Sequence, residues 1–206
     1  MLEHVPGWLG RMMQGLRAGH AKLVVADPAL SLGDAKLDLA SPAFGDGGRL
    51  PPRFTADGEG VSPPLVWGAV PDATAALALI IEDPDAPAAQ PLVHAIVWNL
   101  PADAGRLEEG AIVADGAGGV DGRDVGRSSF GREGWLPPDP PTGHGAHDYV
   151  FQLFALSDAP ALPATPGRAA FVEAIAGRVL AAGVLTGTYS RGEEASAGPV
   201  AATATA

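Results

Sequence analysis

The chain contains no cysteine. That absence excludes a disulfide framework, a zinc ribbon, a thiol nucleophile and a cysteine-ligated iron–sulfur cluster. Basic residues are scarce: 13 Lys and Arg stand against 24 Asp and Glu, a formal net charge of −11. With no basic footprint, nucleic acid and anionic membrane surfaces are repelled rather than bound. No run of apolar residues approaches the ~20 needed to span a bilayer. The first residues also lack the short apolar core and small-residue cleavage site of a signal peptide, so a cytoplasmic protein is expected. Nor is there a G-x-G-x-x-G after a strand, a phosphate-binding P-loop, H-E-x-x-H or G-x-S-x-G. Nucleotide hydrolysis, zinc proteolysis and α/β-hydrolase chemistry thus lack their usual carriers.

The 206 residues suffice for one domain with an appended arm. Apolar residues make up 47%, but 39 positions are Ala, so bulky core-formers are fewer than that share suggests. Gly (28) and Pro (20) are abundant and not periodic. Both break helix interiors, which argues against a helical bundle and for a mainly β, turn-rich fold.

Residues 5–20 place Val5, Trp8, Leu9, Met12, Met13 and Leu16 at helical spacing, opposite Arg11, Gln14 and Arg17. An N-terminal helical arm with its linker is therefore expected over residues 1–35. Its apolar stripe should pack on the parent domain or make a homodimer. The body spans 36–191, and the Ala/Thr/Ser/Gly-rich tail 192–206 has too little apolar bulk to fold. Within the body, Lys36–Leu39 and Pro64–Trp67 read as short strands. Ala76–Ile81 is a continuous apolar run ended by Glu82-Asp83-Pro84-Asp85-Ala86-Pro87, as in a strand buried on both faces. Further strands are Val93–Leu100 and His147–Leu156. Between them, residues 102–146 hold 11 glycines and the run Pro137-Pro138-Asp139-Pro140-Pro141, a length usual only for functional or disordered loops. The spacing of Arg168, Phe171, Val172, Ile175, Val179 and Leu180 predicts a C-terminal helix over 168–182, with a last strand at Thr186–Tyr189.

Five histidines are present: His4, His20, His94, His144 and His147. If residues 83–85 continue extended, Asp83 and Asp85 point the same way, since strand side chains alternate. By the same rule His94 shares a face with Ile96 and Trp98, and His147 with Tyr149. Two carboxylates, two imidazoles and a phenol would then converge at strand ends. A carboxylate beside an imidazole favours the imidazolium, which donates to phosphoryl oxygens. The same set suits a divalent metal or general acid–base work, and spacing alone does not choose. Asp before Pro is also a plain turn-former, and Phe130 and Trp135 suit the apolar anchor of a loop.

Several segments, in order, resemble one family. They are Ser41-Pro42-Ala43-Phe44, Ser62-Pro63-Pro64-Leu65, Asp83-Pro84-Asp85-Ala86-Pro87, His94 through Asn99-Leu100-Pro101, Phe130 through Trp135, and Pro140-Pro141-Thr142-Gly143-His144-Gly145-Ala146-His147-Asp148-Tyr149. The chain from about Leu39 to Arg191 resembles the phosphatidylethanolamine-binding protein family, in its bacterial Raf-kinase-inhibitor-like branch. The resemblance implies a β-sandwich with a large central antiparallel sheet and peripheral helices. It also implies a small cavity for phosphate, phosphorylethanolamine or similar oxyanions, the lipid head-group chemistry. The implied ligand-binding residues are Asp83, Asp85, His94, Trp135, Pro140, Pro141, His147 and Tyr149. Three positions depart from the pattern: Ala95 replaces an aromatic, Trp135 a Tyr, and Asp148 a basic residue. Ala95 should widen one wall, and Asp148 should point away from His147 and Tyr149.

The resulting expectation is a non-enzymatic binding protein for a phosphoryl-bearing anion, acting also as a modulator or inhibitor of a kinase or protease partner. It needs no cofactor, resident metal or catalytic residue, binds no nucleic acid and makes no stable membrane insertion. The alternative from another class is a metal- or acid–base-dependent hydrolase or lyase using Asp83, Asp85, His94 and His147.

Overall fold

The structure, a computed structural model, describes residues 7–114 and 124–191. The tail expected from residue 192 lies outside them. In chain order the strands are β1 (Leu39–Ala40), β2 (Gly48–Arg49), β3 (Leu65–Trp67), β4 (Ala76–Asp83), β5 (Leu92–Leu100), β6 (Gly105–Leu107), β7 (Asp124–Val125), β8 (His147–Leu156) and β9 (Val179–Tyr189). Helix α1 is Gly7–Met13 and α2 is Arg168–Ile175. A six-stranded sheet runs β2-β9-β8-β4-β5-β7, and a three-stranded sheet β1-β3-β6 faces it. Pairing is antiparallel except where β2 runs parallel to β9.

Every residue of β4 is buried. Leu77, Leu79 and Ile81 point into the layer between the sheets, with Leu65, Trp67 and Leu107 of the small sheet. Ala78 and Ile80 point the other way, into a second layer closed by Phe171 and Ile175 of α2 and by Val24 and Leu30 of the N-terminal segment. A strand with cores on both sides must be apolar at every position, which is why this run does not alternate. Each large side chain so buried contributes about 1.5–3 kcal/mol. The second layer is tied by Glu82. Its fully buried carboxylate accepts from Val24 N–H (2.9 Å), Gln152 Nε2 (2.9 Å) and Arg168 Nε (2.6 Å).

Three expectations are corrected here. The C-terminal helix stops at Ile175 rather than running to 182. Gly177, at φ +70°, turns the chain, and Val179–Tyr189 pairs with β8 along its whole length. Val179 and Leu180 continue the helical spacing only by coincidence. The strand's inward positions include Gly183 and Gly187, whose small size the neighbours require. A Cβ at Gly187 would lie 2.5 Å from Leu50 Cδ2.

Among the described residues the arm is α-helical over Gly7–Met13, followed by short 3-10 turns at His20–Lys22, Val24–Ala26 and Pro28–Leu30, and the large side chains of its stripe stay off the domain. Trp8, Met12 and Leu16 are 58%, 73% and 59% exposed. Gly10 is the contact instead, so close that a Cβ there would lie 2.2 Å from the Thr142 carbonyl oxygen.

The third correction concerns His94. Ile81 pairs with Ala95 but Glu82 with Val93, so β5 carries an extra residue at His94. In such a β-bulge two residues oppose one and strict alternation fails. Val93, Ile96 and Trp98 face the helix layer, whereas His94 lies with Tyr149 on the opposite side.

Candidate functional site

The bulge brings His94 over the end of β8, where its ring meets Tyr149 edge-on at a centroid distance of 5.0 Å. His147, two residues before Tyr149 on the same strand face, stacks along it at 6.5 Å. Asp83, at the end of the neighbouring β4, accepts from His147 Nδ1 at 2.7 Å. These four side chains form the floor of a cavity of about 370 Å³. Its walls are largely apolar, with Ala86, Pro87, Leu92, Leu136, Pro140 and Pro141 among them, and Phe130, Arg132 and Asp139 stand at the rim.

The loop from 130 to 141 is pinned to the strand by two opposed hydrogen bonds. His94 Nδ1 donates to the Leu136 carbonyl (2.6 Å), and the Leu136 N–H donates back to the His94 carbonyl (2.8 Å). The first bond fixes the tautomer: with its proton on Nδ1, a neutral ring presents Nε2 as an acceptor. That Nε2 and the Tyr149 hydroxyl are both buried and without a hydrogen-bond partner among the described residues. Unpaired buried polar atoms are costly, about 1–3 kcal/mol each, and concentrate where a ligand supplies the missing partner.

Burial holds His94 below the usual histidine range, outweighing the opposing pull of Asp83. Burial likewise raises Tyr149 well above the usual phenol value, with the Asp83 charge adding to it. The paired imidazolium expected from sequence therefore does not fall on the ring that faces the cavity unpartnered. The carboxylate is taken by His147.

Asp83, His94, Pro140, Pro141, His147 and Tyr149 come together as expected, but Asp85 and Trp135 do not line the cavity. The chain turns after Asp83, whose Oδ1 accepts from the Asp85 N–H (2.7 Å), and Asp85 swings outward. It ion-pairs with Arg17 of the arm and accepts from the Asp148 N–H (2.7 Å). Trp135 supports His94 from behind. It stacks on Phe151 (6.3 Å), donates from Nε1 to the Phe54 carbonyl (3.1 Å) and lies 5.9 Å from the His94 ring. Ala95 is buried between the sheets and does not line the cavity. Asp148 points away, as alternation requires, to His20 (3.0 Å).

Two supporting residues escape a reading of the sequence. His144 bridges His147 to the arm, with Nδ1 2.7 Å from His147 Nε2 and Nε2 donating to the Met13 carbonyl (2.8 Å). Arg191 clamps the rim by binding Asp57, Asp139 and the Pro140 carbonyl. The spacing of His144 and His147 was a visible signal; nothing in the sequence marks Arg191.

Two facing sheets with a buried imidazole–phenol pair beneath an apolar vestibule define a β-sandwich binding protein. The chain belongs to the phosphatidylethanolamine-binding protein family, whose sequence profile matches residues 40–190. It is similar to a UPF0098 protein of Methanothermobacter thermautotrophicus, 40% identical over 156 residues that cover 76% of this chain and all of the relative. It is also 37% identical over 153 residues to a Mycobacterium tuberculosis protein named as a lipoprotein, LppC, covering 74% of this chain and 72% of the relative. Among solved structures, Escherichia coli YbcL matches with a TM-score of 0.70 and 28% identity over 76% of this chain and 99% of that one. The Chlamydia trachomatis homologue CT736 matches at 0.68 and 31%, over 77% and 99%. Among the described residues, no helix is long and apolar enough to cross a membrane.

Proposed function

We propose that the chain is a non-enzymatic binding module that holds a small phosphoryl-bearing ligand against His94 and Tyr149. One observation carries this reading: the His94 Nε2 and the Tyr149 hydroxyl are the buried polar atoms left unpartnered at the floor of the cavity. Neutral His94 offers an acceptor, Tyr149 offers a donor, and Asp83 adds negative charge nearby. The ligand that suits this set brings its own proton, as a phosphate monoester monoanion does. Its P–OH donates to Nε2 while a phosphoryl oxygen accepts from Tyr149. The apolar walls accommodate a short carbon substituent, and Arg132 stands at the mouth to offset the acidic surroundings.

A hydrolytic reading is less well supported. Among the described residues, the His/Asp trio whose ligand atoms come within chelating distance is His20, Asp85 and Asp148, none of which lines the cavity, and Asp85 is already held by Arg17. Action in the cytoplasm is part of the proposal, and fractionation of expressing cells checks it.

Calorimetric titration with phosphate and phosphorylethanolamine should give a dissociation constant between about 1 mM and 1 μM. The His94→Ala protein should show at least about tenfold weaker binding, the cost of one charge-assisted hydrogen bond. Equal heats from both proteins would remove the cavity from the function.

A further inference from the structure

A second cavity, of about 450 Å³, lies on the far side of β5 from the His94 floor. Val93, Arg127, Ser128, Ser129 and the start of α2 line it. We propose that it is a separate binding site for a tetrahedral oxyanion, inorganic phosphate or a phosphate monoester.

The first support is the way α2 begins. Its first intrahelical bond runs from the Phe171 N–H to the Gly167 carbonyl, and no side chain caps the turn before it. The N–H groups of Arg168, Ala169 and Ala170 therefore stand without partners among the described residues, at the positive end of the helix dipole.

The second support is independent of the helix. Ser128 is only 5% exposed, lines this cavity, and carries a buried hydroxyl that has no partner among the described residues. A buried hydroxyl left unpaired calls for a polar partner, and this cavity is where one can sit. Beside it, Ser129 Oγ accepts from the Val93 N–H (2.8 Å), which leaves the hydroxyl hydrogen of Ser129 free to donate.

The third is Arg127. Its guanidinium makes no ion pair among the described residues, and it lies across the helix start because position 167 is glycine. A Cβ there would come 3.1 Å from Arg127 Nε. Arg168 is not part of the donor set, since Glu82 and the Lys22 carbonyl already hold its side chain. That engagement also neutralises Glu82. Backbone N–H groups, a forked guanidinium and two hydroxyls converge from different directions, which suits the oxygens of a tetrahedral anion better than a planar carboxylate. In a chain of net charge −11 such a collection of unspent donors is out of keeping with its surroundings.

The test is a titration of the intact protein with inorganic phosphate at constant ionic strength, followed residue by residue by NMR. Saturable shifts are expected at the amides of Arg168, Ala169 and Ala170, with no saturable response to chloride. Arg127→Ala, an exposed position, should weaken the phosphate response at these amides about tenfold, while Arg127→Lys should recover part of it. Ser128→Ala should weaken it several-fold. The ring protons of His94 and Tyr149 report the first cavity separately, so failure of one site is distinguishable from failure of the other. Absence of saturation up to about 50 mM phosphate, or an unchanged titration in Arg127→Ala, would overturn the proposal.

Discussion

His144 and His147 meet nitrogen to nitrogen, Nδ1 to Nε2 at 2.7 Å, inside a chain of contacts that runs from the cavity floor to the N-terminal helix. Hydrogen counting assigns the protons. The Met13 carbonyl can only accept, so His144 Nε2 carries its proton and a neutral His144 accepts at Nδ1. His147 must then donate from Nε2, and it also faces the Asp83 carboxylate through Nδ1. Both of its nitrogens are engaged, which leaves His94 and Tyr149 to meet a ligand.

Removing His144 should therefore weaken both ends of this relay. His144→Ala leaves a buried N–H of His147 and the Met13 carbonyl without their partner. A loss of about 1–3 kcal/mol in urea unfolding is expected. Faster amide exchange across residues 7–16 should accompany it. Exchange in the arm equal to that of the wild type would show that the relay does not hold α1.

Acid should destabilise the fold before its carboxylates titrate. Burial lowers the folded-state values of both His94 and His144 below 6.5, the charge on His147 adding to the effect at His144. The unfolded chain thus binds more protons below pH 6.5. Stability is complete above that pH and declines as pH falls towards the folded values, by up to about 1.4 kcal/mol per pH unit for each group. Urea unfolding at pH 7.5, 6.0 and 5.0 should show this slope, and His144→Asn should remove part of it. Asp57, held low chiefly by its hydrogen bonds from Arg191, acts only below the usual carboxylate value of 3.8.

Ligand binding should be linked to one proton. With His94 neutral, the monoanion of a phosphate monoester is the binding form. Affinity is then expected to fall about tenfold per unit above about pH 6, where the second phosphate proton is lost. Tyr149→Phe should weaken binding about fivefold without changing that slope. A constant affinity between pH 5.5 and 8.5 would show that the proton does not matter and that other donors hold the anion.

Gly10→Ala reverses the usual helix rule. Alanine favours an isolated helix by about 1 kcal/mol over glycine. Here the added methyl collides with the Thr142 carbonyl, so the variant should release α1 from the domain. Limited proteolysis that cuts the variant near residues 7–16 sooner than the wild type confirms the contact.

Glu82→Ala should be among the most damaging single changes. It strips Arg168, Gln152 and the Val24 N–H of a shared buried acceptor, at a cost of about 3 kcal/mol or more. Chemical denaturation measures it, and a loss under 1 kcal/mol would contradict the central place of this carboxylate.

Much of the architecture is legible in the chain because its signals are local. The unbroken apolar run of β4 states burial on both faces, and β8 begins and ends where its pattern does. The order of the Asp83, His94 and His147 segments carries the family. Other features are invisible at that range. Val179 and Leu180 satisfy a helical period and a strand alike, and only the long pairing with β8 chooses. The amphipathic pattern of the arm is real, yet the contact is made through Gly10, since a residue with no side chain leaves no trace in a hydrophobic period.

The side-chain chemistry of the cavity follows from residue type and order: imidazoles, a phenol, a carboxylate and rigid prolines are written in the sequence. Which of them remain free to bind is a matter of three-dimensional pairing. A one-residue bulge turns His94 inward, the turn at Pro84 sends Asp85 to Arg17, and the relay through His144 saturates His147. Hydrogen bonds are exclusive, so a group spent on a distant neighbour is lost to the ligand, and that neighbour is identified only when the chain has folded.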